Sequence, residues 1–525
     1  MVKPYKYDRN VEIMDTTLRD GEQTPAVAYT PEEKLQLAKI LLQKLKVDRI
    51  EVGSARVSEG EHVGAKNIIE WAASQGMADK VELLGFVDKG KSVDWICAAG
   101  GKVINLLTKG SEKHCRIQLG KTPEEHYKEV CEQIDYANSR GLIVNVYLED
   151  WSSGMRDSFQ YVFAFVKELE KHNVARVMLP DTLGILTPAE MTRYLEWMIT
   201  ASSKLKYEFH GHNDYGLVTA NSLAAVEAGI YGIHTTLNGL GERTGNQTLC
   251  EIVACIHDMT DRTINIVEEE IHYTANVVEA ITGKKIAANS PIVGSDVFTQ
   301  TCGVHADGDK KGNLYANDLL PERFSRKRIY ALGKTSGKAS IDKNLEELGL
   351  DLPKDVRDAI LSEVIRLGDK KKNITPDDLP FIIAKIVRSP KYSQIKIVDY
   401  SVTTKKGESP CASVEIDFNG KILTASASGD GGYDAFVQAV RIAMEEINVT
   451  TPSLKDYEVR IPPGGMTDAL VETMITWESD VANNQYFNNN DSMLITIGVD
   501  SDQMVAAIEA TEKMLNHVVS QIDNK

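Results

Sequence analysis

The sequence predicts an α/β chain: a TIM (β/α)8 barrel, then a helical linker region, then a C-terminal α+β domain of two βββα repeats. Three observations carry that prediction. β-rich and helical runs alternate eight times within residues 1–290. Polar residues gather at the C-terminal ends of five of the β-rich runs. Residues 391–525 read as two similar halves.

The β-rich runs lie near 11–17, 48–54, 81–87, 103–108, 143–149, 176–181, 207–212 and 232–238. Helical patterns separate them, including Pro31–Leu45, Glu124–Ser139, Asp157–Lys171 and Pro188–Ser202, and Leu249–Met259 follows the last. Eight βα units in about 260 residues match a barrel. A doubly wound open sheet is the alternative, but it more often has about five to seven strands, and no GxGxxG follows the first run. Residues 291–390 change character. A Gly- and charge-rich loop, 303–318, precedes helical stretches near 339–348, 353–368 and 376–387. The final region gives strands at 395–404, 412–418 and 421–427 with a helix at 433–447. Strands at 457–462, 469–477 and 493–499 with a helix at 503–519 repeat the pattern. The predicted domains are therefore 1–290, 291–390 and 391–525.

With 525 residues the chain is too long for one ordinary domain. Its 59 basic and 76 acidic residues sum to −17, which argues against general nucleic-acid binding. No run approaches the ~18–20 apolar residues that span a bilayer, and the first residues contain no apolar signal region, so a soluble cytoplasmic protein is expected. The seven cysteines include no CxxC and read as reduced thiols.

In a barrel, chemistry gathers where strands end. His210 and His212 are two apart, so on a strand both point to one face. Neutral imidazoles there, with Asp214 close by and Asp20 from the end of the first strand, form a plausible set for a divalent ion such as Zn, Mn or Mg. An Arg–Asp surface pair and two strand-end histidines are the plainer alternative. Arg19 offers a fixed charge where an enolate or alkoxide would form. Glu149 shares a face with Tyr147 and is a candidate base, or else a salt-bridged rim carboxylate. His305, in the Gly-rich loop, is a candidate lid residue or a solvated histidine. Two apparent motifs fail. Residues 307–312 begin like an EF-hand loop, but Lys311 stands where a ligand oxygen is needed. Residues 333–339 lack the P-loop spacing and its final hydroxyl.

DTTLRDGEQTP (15–25), FHGHND (209–214), NGLGERTGN (238–246) and GVHADG (303–308) resemble signature segments of the isopropylmalate, homocitrate and citramalate synthase family. These are TIM-barrel metal enzymes that condense acetyl-CoA with 2-oxo acids. GDGGYDAF (429–436) and YEVRIPPGG (457–465) resemble the family's regulatory domain. IEVGSARVSEGE (50–61), LGFVD (84–88), NLLTKGS (105–111) and NVYLEDWS (145–152), together with the long segment 296–317, look most like the members that take pyruvate. The resemblance implies a metal bound by Asp20, His210 and His212 with Asn246 nearby. It implies that Arg19 and Thr182 hold the oxo acid and that Glu149, His305 and Tyr315 serve in catalysis. Asp307, Asn313 and Leu314 would be neighbours on the lid. It further implies end-product control by an amino-acid effector, isoleucine; Tyr433, after a Gly pair at a helix start, is a candidate for that pocket, and the amphipathic helix 503–519 is a candidate for packing a homodimer instead.

Leu84, Leu107 and Tyr147 come from three adjacent strands at inward positions. Together they would form a small apolar pocket with one hydroxyl. That suits the methyl of pyruvate and offers no cation to the distal carboxylate that 2-oxoglutarate carries. Excluding 2-oxoisovalerate would rest on tight fit, so a 2-isopropylmalate synthase is the runner-up. The basic run Arg323, Arg326, Lys327 and Arg328 is a candidate for the CoA phosphates, or a solvated face. A catalytically silent binding or sensor protein, and a lyase running the reverse cleavage, are the other readings.

Overall fold

The computed structural model describes residues 9–312, 314–348, 350–369, 378–379, 382–383, 386, 394–460, 471–478, 493–500 and 502–522. Eight parallel strands close a barrel in sequence order. They are β1 (Glu12–Asp15), β2 (Arg49–Ser54), β3 (Val81–Phe86), β4 (Val103–Lys109), β5 (Ile143–Glu149), β6 (Arg176–Asp181), β7 (Tyr207–Gly211) and β8 (Gly232–Thr235). The register β1–β8, Glu12 opposite Gly232 and Asp15 opposite Thr235, closes the cylinder.

The helices between strands start where the sequence supplies caps. Thr30, Thr122 and Thr187 each accept from the backbone three residues on, a glutamate there reaches back, and proline follows as the first helical residue. Such a capping box satisfies donors that helix starts leave open. Their apolar faces pack on the outward residues of the strands to form the main core, with Leu83, Leu106, Val146, Leu179 and Phe209 all fully or nearly fully buried.

Two helical predictions are corrected. Pro31–Leu45 is an α-helix only to Lys39 and continues as a π-helical turn over Ile40–Leu45, ending at Lys46 in the left-handed region. The wider turn points Ile40, Leu41, Leu42 and Leu45 all into the core. Asp157–Lys171 is interrupted at Ser158, which separates helices Trp151–Asp157 and Phe159–Leu169.

The chain divides into two compact units. One runs to Phe298 and includes Asn317–Lys327. The other holds Thr299–Ala316 and the chain from Arg328 onward. In the second unit β9 (Thr299–Gln300) pairs in parallel with β10 (Ile329–Tyr330). The segment expected to be a Gly-rich loop at 303–318 instead begins with a helix, Gly303–Lys310. Its Asp307 and Lys311 form an i,i+4 ion pair at 2.5 Å. Gly308 leaves room for the Tyr315 ring, since a Cβ there would stand 2.4 Å from it.

Helices Lys338–Glu347 and Lys354–Asp369 follow. The third expected helical stretch, 376–387, falls mostly outside the described residues. Then come β11 (Ile395–Thr403), β12 (Cys411–Phe418) and β13 (Lys421–Ser428), an antiparallel sheet, and a helix, Gly432–Glu445. The pattern repeats in β14 (Ser453–Arg460), β15 (Val471–Glu478), β16 (Met493–Asp500) and the helix Gln503–Ile522. Of the expected strands there, 461–462 and 469–470 lie outside the described residues. One core joins the halves, with Phe436, Met444, Trp477 and Leu515 fully buried.

Candidate active site in the barrel

Alternation along the strands sends every second residue into the lumen. Near the strand starts the lumen is ionic. Arg49 bonds Glu12 at 2.9 Å, Glu82 at 2.6 Å and Glu208 at 2.5 Å, and Arg176 bonds Glu12 and Glu208, each at 2.9 Å. Two residues further along their strands come Met14, Leu84 and Met178, which pack with Tyr147, against Phe86 and Leu107. Leu84, Leu107 and Tyr147 are thus gathered in one apolar cluster, and Met14, Met178 and Phe86 extend it.

The chain leaves β1 through a tight turn in which the Thr16 carbonyl accepts from Arg19, Asp20 and Gly21. This swings Asp20 over the strand ends. Its Oδ2 lies 3.0 Å from His210 Nε2 and accepts from Asn246 Nδ2 at 3.1 Å. One ligand atom from each of Asp20, His210 and His212 falls within 4.8 Å of the others. Asn246 is carried in by the turn after β8. Gly245 there has φ +83°, and a Cβ would stand 1.8 Å from the Gly239 carbonyl oxygen, so only glycine fits. His212 and Asn246 face each other in a β-bridge.

Residues holding a cation should combine hard anionic and neutral nitrogen donors with unsatisfied atoms. Asp20, His210, His212 and Asn246 are all buried, and His210 Nδ1, His212 Nδ1 and Asn246 Oδ1 have no hydrogen-bond partner. Buried polar atoms are normally paired, so these orphans fit a missing ligand. Burial would raise the Asp20 carboxyl, but the Arg19 guanidinium and His210 outweigh it and hold it far below the carboxylate range. Burial pushes both imidazoles down, His212 to about 4, with His210 adding to the effect on His212. An anionic carboxylate beside neutral imidazoles is the protonation state a divalent ion requires. Asp214 does not join them; Arg243 holds both of its oxygens, at 2.7 and 2.9 Å.

Arg19 is clamped by Glu51, at 2.5 Å, lies 3.2 Å from Asp20, and donates to the Tyr147 hydroxyl at 3.4 Å. Glu51 also accepts from Thr16 at 2.9 Å and Asn105 at 2.8 Å. Glu149 stands on the rim and pairs with Lys109. Thr182 Oγ1 accepts from the Asp150 backbone at 2.9 Å, and its carbonyl accepts from Arg243.

His305 and Tyr315 belong to the second unit, where their rings lie 4.2 Å apart and both are exposed. His305 sits on a helix, not in a loop. Leu314 is exposed; Asn313 lies outside the described residues. Tyr433 packs against Tyr457 and Phe436 and shares a 2.7 Å hydrogen bond with Thr511. An open groove of about 370 Å³ on the β11–β13 sheet, lined by Tyr400, Ser413 and Thr424 among others, does not include Tyr433. The basic run is largely committed to protein acceptors. Arg323 binds Asp258 and Glu268, Arg326 donates to the carbonyls of Ile292, Gly294 and Ser295, and Arg328 binds Asp309. Sequence reasoning overlooked Glu51, His234, Glu208 and Arg49. The signal was Arg49 and Glu51 alternating within the strand RIEVGS, and Glu208 two residues before His210.

The HMGL-like family model matches residues 10–278, a homocitrate synthase post-HMGL domain-like model 292–372, and a LeuA allosteric (dimerisation) domain model 373–519. A putative (R)-citramalate synthase of Archaeoglobus fulgidus is 32% identical over 96% of this chain and 99% of its own length. A probable 2-isopropylmalate synthase of Methanopyrus kandleri is 34% identical over 97% and 98%. An (R)-citramalate synthase of Methanocaldococcus jannaschii is 34% identical over 89% and 92%. The chain belongs to the HMGL-like family, with the citramalate and 2-isopropylmalate synthases as its full-length relatives.

Proposed function

We propose that this HMGL-like enzyme is an (R)-citramalate synthase, joining acetyl-CoA to pyruvate and hydrolysing the thioester to citramalate and CoA. The observation that carries the acceptor is the packed cluster of Leu84, Tyr147, Met14 and Met178 beside Arg19 and the Asp20–His210–His212 set. It is apolar, and the two cations that touch it, Arg19 at the Tyr147 hydroxyl and Arg49 at 3.7 Å from the Met14 sulfur, are both already paired with carboxylates. A methyl group fits there, whereas a distal carboxylate would be buried without a partner.

Asp20, His210 and His212, with Asn246, would hold a divalent ion (zinc, manganese or magnesium), which supplies Lewis acidity toward the keto oxygen when bound. Arg19, fixed by Glu51, neutralises the pyruvate carboxylate and the charge that develops as C2 is attacked. Thr182 orients the oxo acid. Glu149, with His305 and Tyr315 as further participants, handles the proton removed from the acetyl methyl. The enolate carbon bonds to C2, the former keto oxygen takes up a proton, and water then cleaves the C–S bond to release the thiol of CoA. We further propose a cytoplasmic homodimer on the route to isoleucine. Isoleucine would act on the C-terminal domain, which the LeuA allosteric-domain match supports, with Tyr433 at the effector pocket.

Relatives named 2-isopropylmalate synthase match the chain about as well, and favour 2-oxoisovalerate as the second reading. Free-thiol release from acetyl-CoA, measured with pyruvate, 2-oxobutyrate, 2-oxoisovalerate and 2-oxoglutarate, separates the two. Preference for pyruvate is expected; preference for 2-oxoisovalerate would replace the assignment.

A further inference from the structure

His234, on β8, makes two side-chain hydrogen bonds deep in the lumen. Its Nε2 lies 3.0 Å from Glu208 Oε2, and its Nδ1 lies 3.1 Å from the Tyr147 hydroxyl. Both His234 and Glu208 are fully or nearly fully buried. The other Glu208 oxygen is taken by Arg49 and Arg176, so the carboxylate is ionised and can only accept. Nε2 must therefore carry a proton. The Tyr147 oxygen already accepts from Arg19 at 3.4 Å, which leaves its own proton for the imidazole. Nδ1 is then a lone pair, and the bond to Tyr147 runs from the tyrosine hydroxyl to the imidazole.

The consequence falls on the acceptor pocket. Tyr147 receives a hydrogen bond from Arg19 at 3.4 Å and spends its proton on His234; Glu51, the other acceptor in range, is further away at 3.5 Å. The ring is also held edge-on to both His210 and His234, at centroid distances of 5.8 and 5.5 Å. A hydroxyl tied at both ends cannot swing aside. Pockets distinguish homologues that differ by one carbon only where the wall cannot yield.

We propose that His234, oriented by Glu208, is a positioning residue that locks Tyr147 and thereby sets which 2-oxo acid side chain the pocket admits. The proposal rests on the reading of Leu84, Leu107 and Tyr147 as the acceptor pocket. The specificity ratio, pyruvate over 2-oxobutyrate in kcat/KM, is to be measured in the full-length enzyme and in Tyr147→Phe, His234→Leu and the double variant. Each single change should lower the ratio about tenfold, and the double variant should lower it no further, because both break one bond. His234→Phe, which keeps a ring but removes both nitrogens, should show the same fall and covers the case in which His234→Leu does not fold. An unchanged ratio in His234 variants, or losses that multiply to about a hundredfold, would overturn the proposal.

A second readout is independent of substrate. In 15N-histidine-labelled protein the resonance lost in the His234 variants should show a protonated Nε2 and an unprotonated Nδ1; the reverse tautomer or an imidazolium would refute the lock. Should the wild type prefer a longer acceptor than pyruvate, the acceptor assignment fails by itself. The ratio is then taken between that acceptor and its next homologue, and the lock is still tested.

Discussion

Leu84→Ala should turn the enzyme toward larger acceptors. Leu84 is 6% exposed and packs with Tyr147, Met14 and Met178. The substitution removes three carbons from the pocket wall. The isopropyl group on 2-oxoisovalerate exceeds the methyl of pyruvate by two carbons, so the freed space is of the right order. Burying two carbons contributes about 1.6 kcal/mol at roughly 0.8 kcal/mol each, or about a 15-fold rise in catalytic efficiency (kcat/KM) toward 2-oxoisovalerate relative to pyruvate. The cavity also costs about 2–5 kcal/mol of stability, so a matched control is needed. Leu83 provides it, since it lies on the same strand, is fully buried, and faces the helices instead of the lumen. Leu83→Ala should destabilise by a similar amount and leave the acceptor ratio alone. The assay is thiol release with both acceptors on variants shown by thermal melting to be folded. A folded Leu84→Ala enzyme with the wild-type ratio, or a Leu83→Ala enzyme whose ratio shifts equally, would refute the assignment of this cluster as the acceptor pocket.

Asp20→Asn and His210→Ala should each abolish turnover and lower bound divalent metal in the purified protein, checked by elemental analysis; full metal content in both would disprove the ligand assignment. Gly245→Ala forces a side chain into 1.8 Å of backbone at positive φ. It should cost more than about 1 kcal/mol and displace Asn246, seen as weaker metal retention at unchanged fold. His126 is pushed down to about 4 by burial and then by Lys121. Its folded value lies below its unfolded one, so the unfolded chain binds more protons in between. Stability is then fully present above about pH 6.5 and falls toward pH 4, by roughly 3 kcal/mol. Denaturant titrations should show a shallower acid slope in His126→Gln, and an identical slope would count against this account.

Much of the barrel was legible because period-two and helical patterns alternate cleanly, and because threonine–proline caps mark where helices begin. The rim residues were legible too, since charge at the end of an apolar strand has few structural excuses. Partners were not. Arg49 meets Glu82 and Glu208, which lie 33 and 159 residues away, and no local pattern reports which inward residues meet across a closed cylinder. Glu149 read in the sequence either as a base or as a salt-bridged rim carboxylate, and only the structure supplies the partner, Lys109 on the adjacent strand. The π-helical turn after Lys39 keeps an amphipathic pattern close enough to 3.6 to pass for plain helix. The helix at Gly303–Lys310 was hidden by two glycines, one of which leaves room for the Tyr315 ring.

The ion cluster of Arg49, Arg176, Glu12, Glu82 and Glu208 makes the barrel a blind well. With that floor in place, oxo acid, thioester, attacking water and both products share a single doorway at the strand ends. Traffic through it has to be sequential: the group that reaches deepest goes in before the bulkier one covers it, and comes out after it. With the acceptor pocket proposed above, such a well favours ordered kinetics, the acceptor binding beneath the acetyl carrier. It also leaves the loops round the doorway free to diverge between relatives without disturbing what lies below.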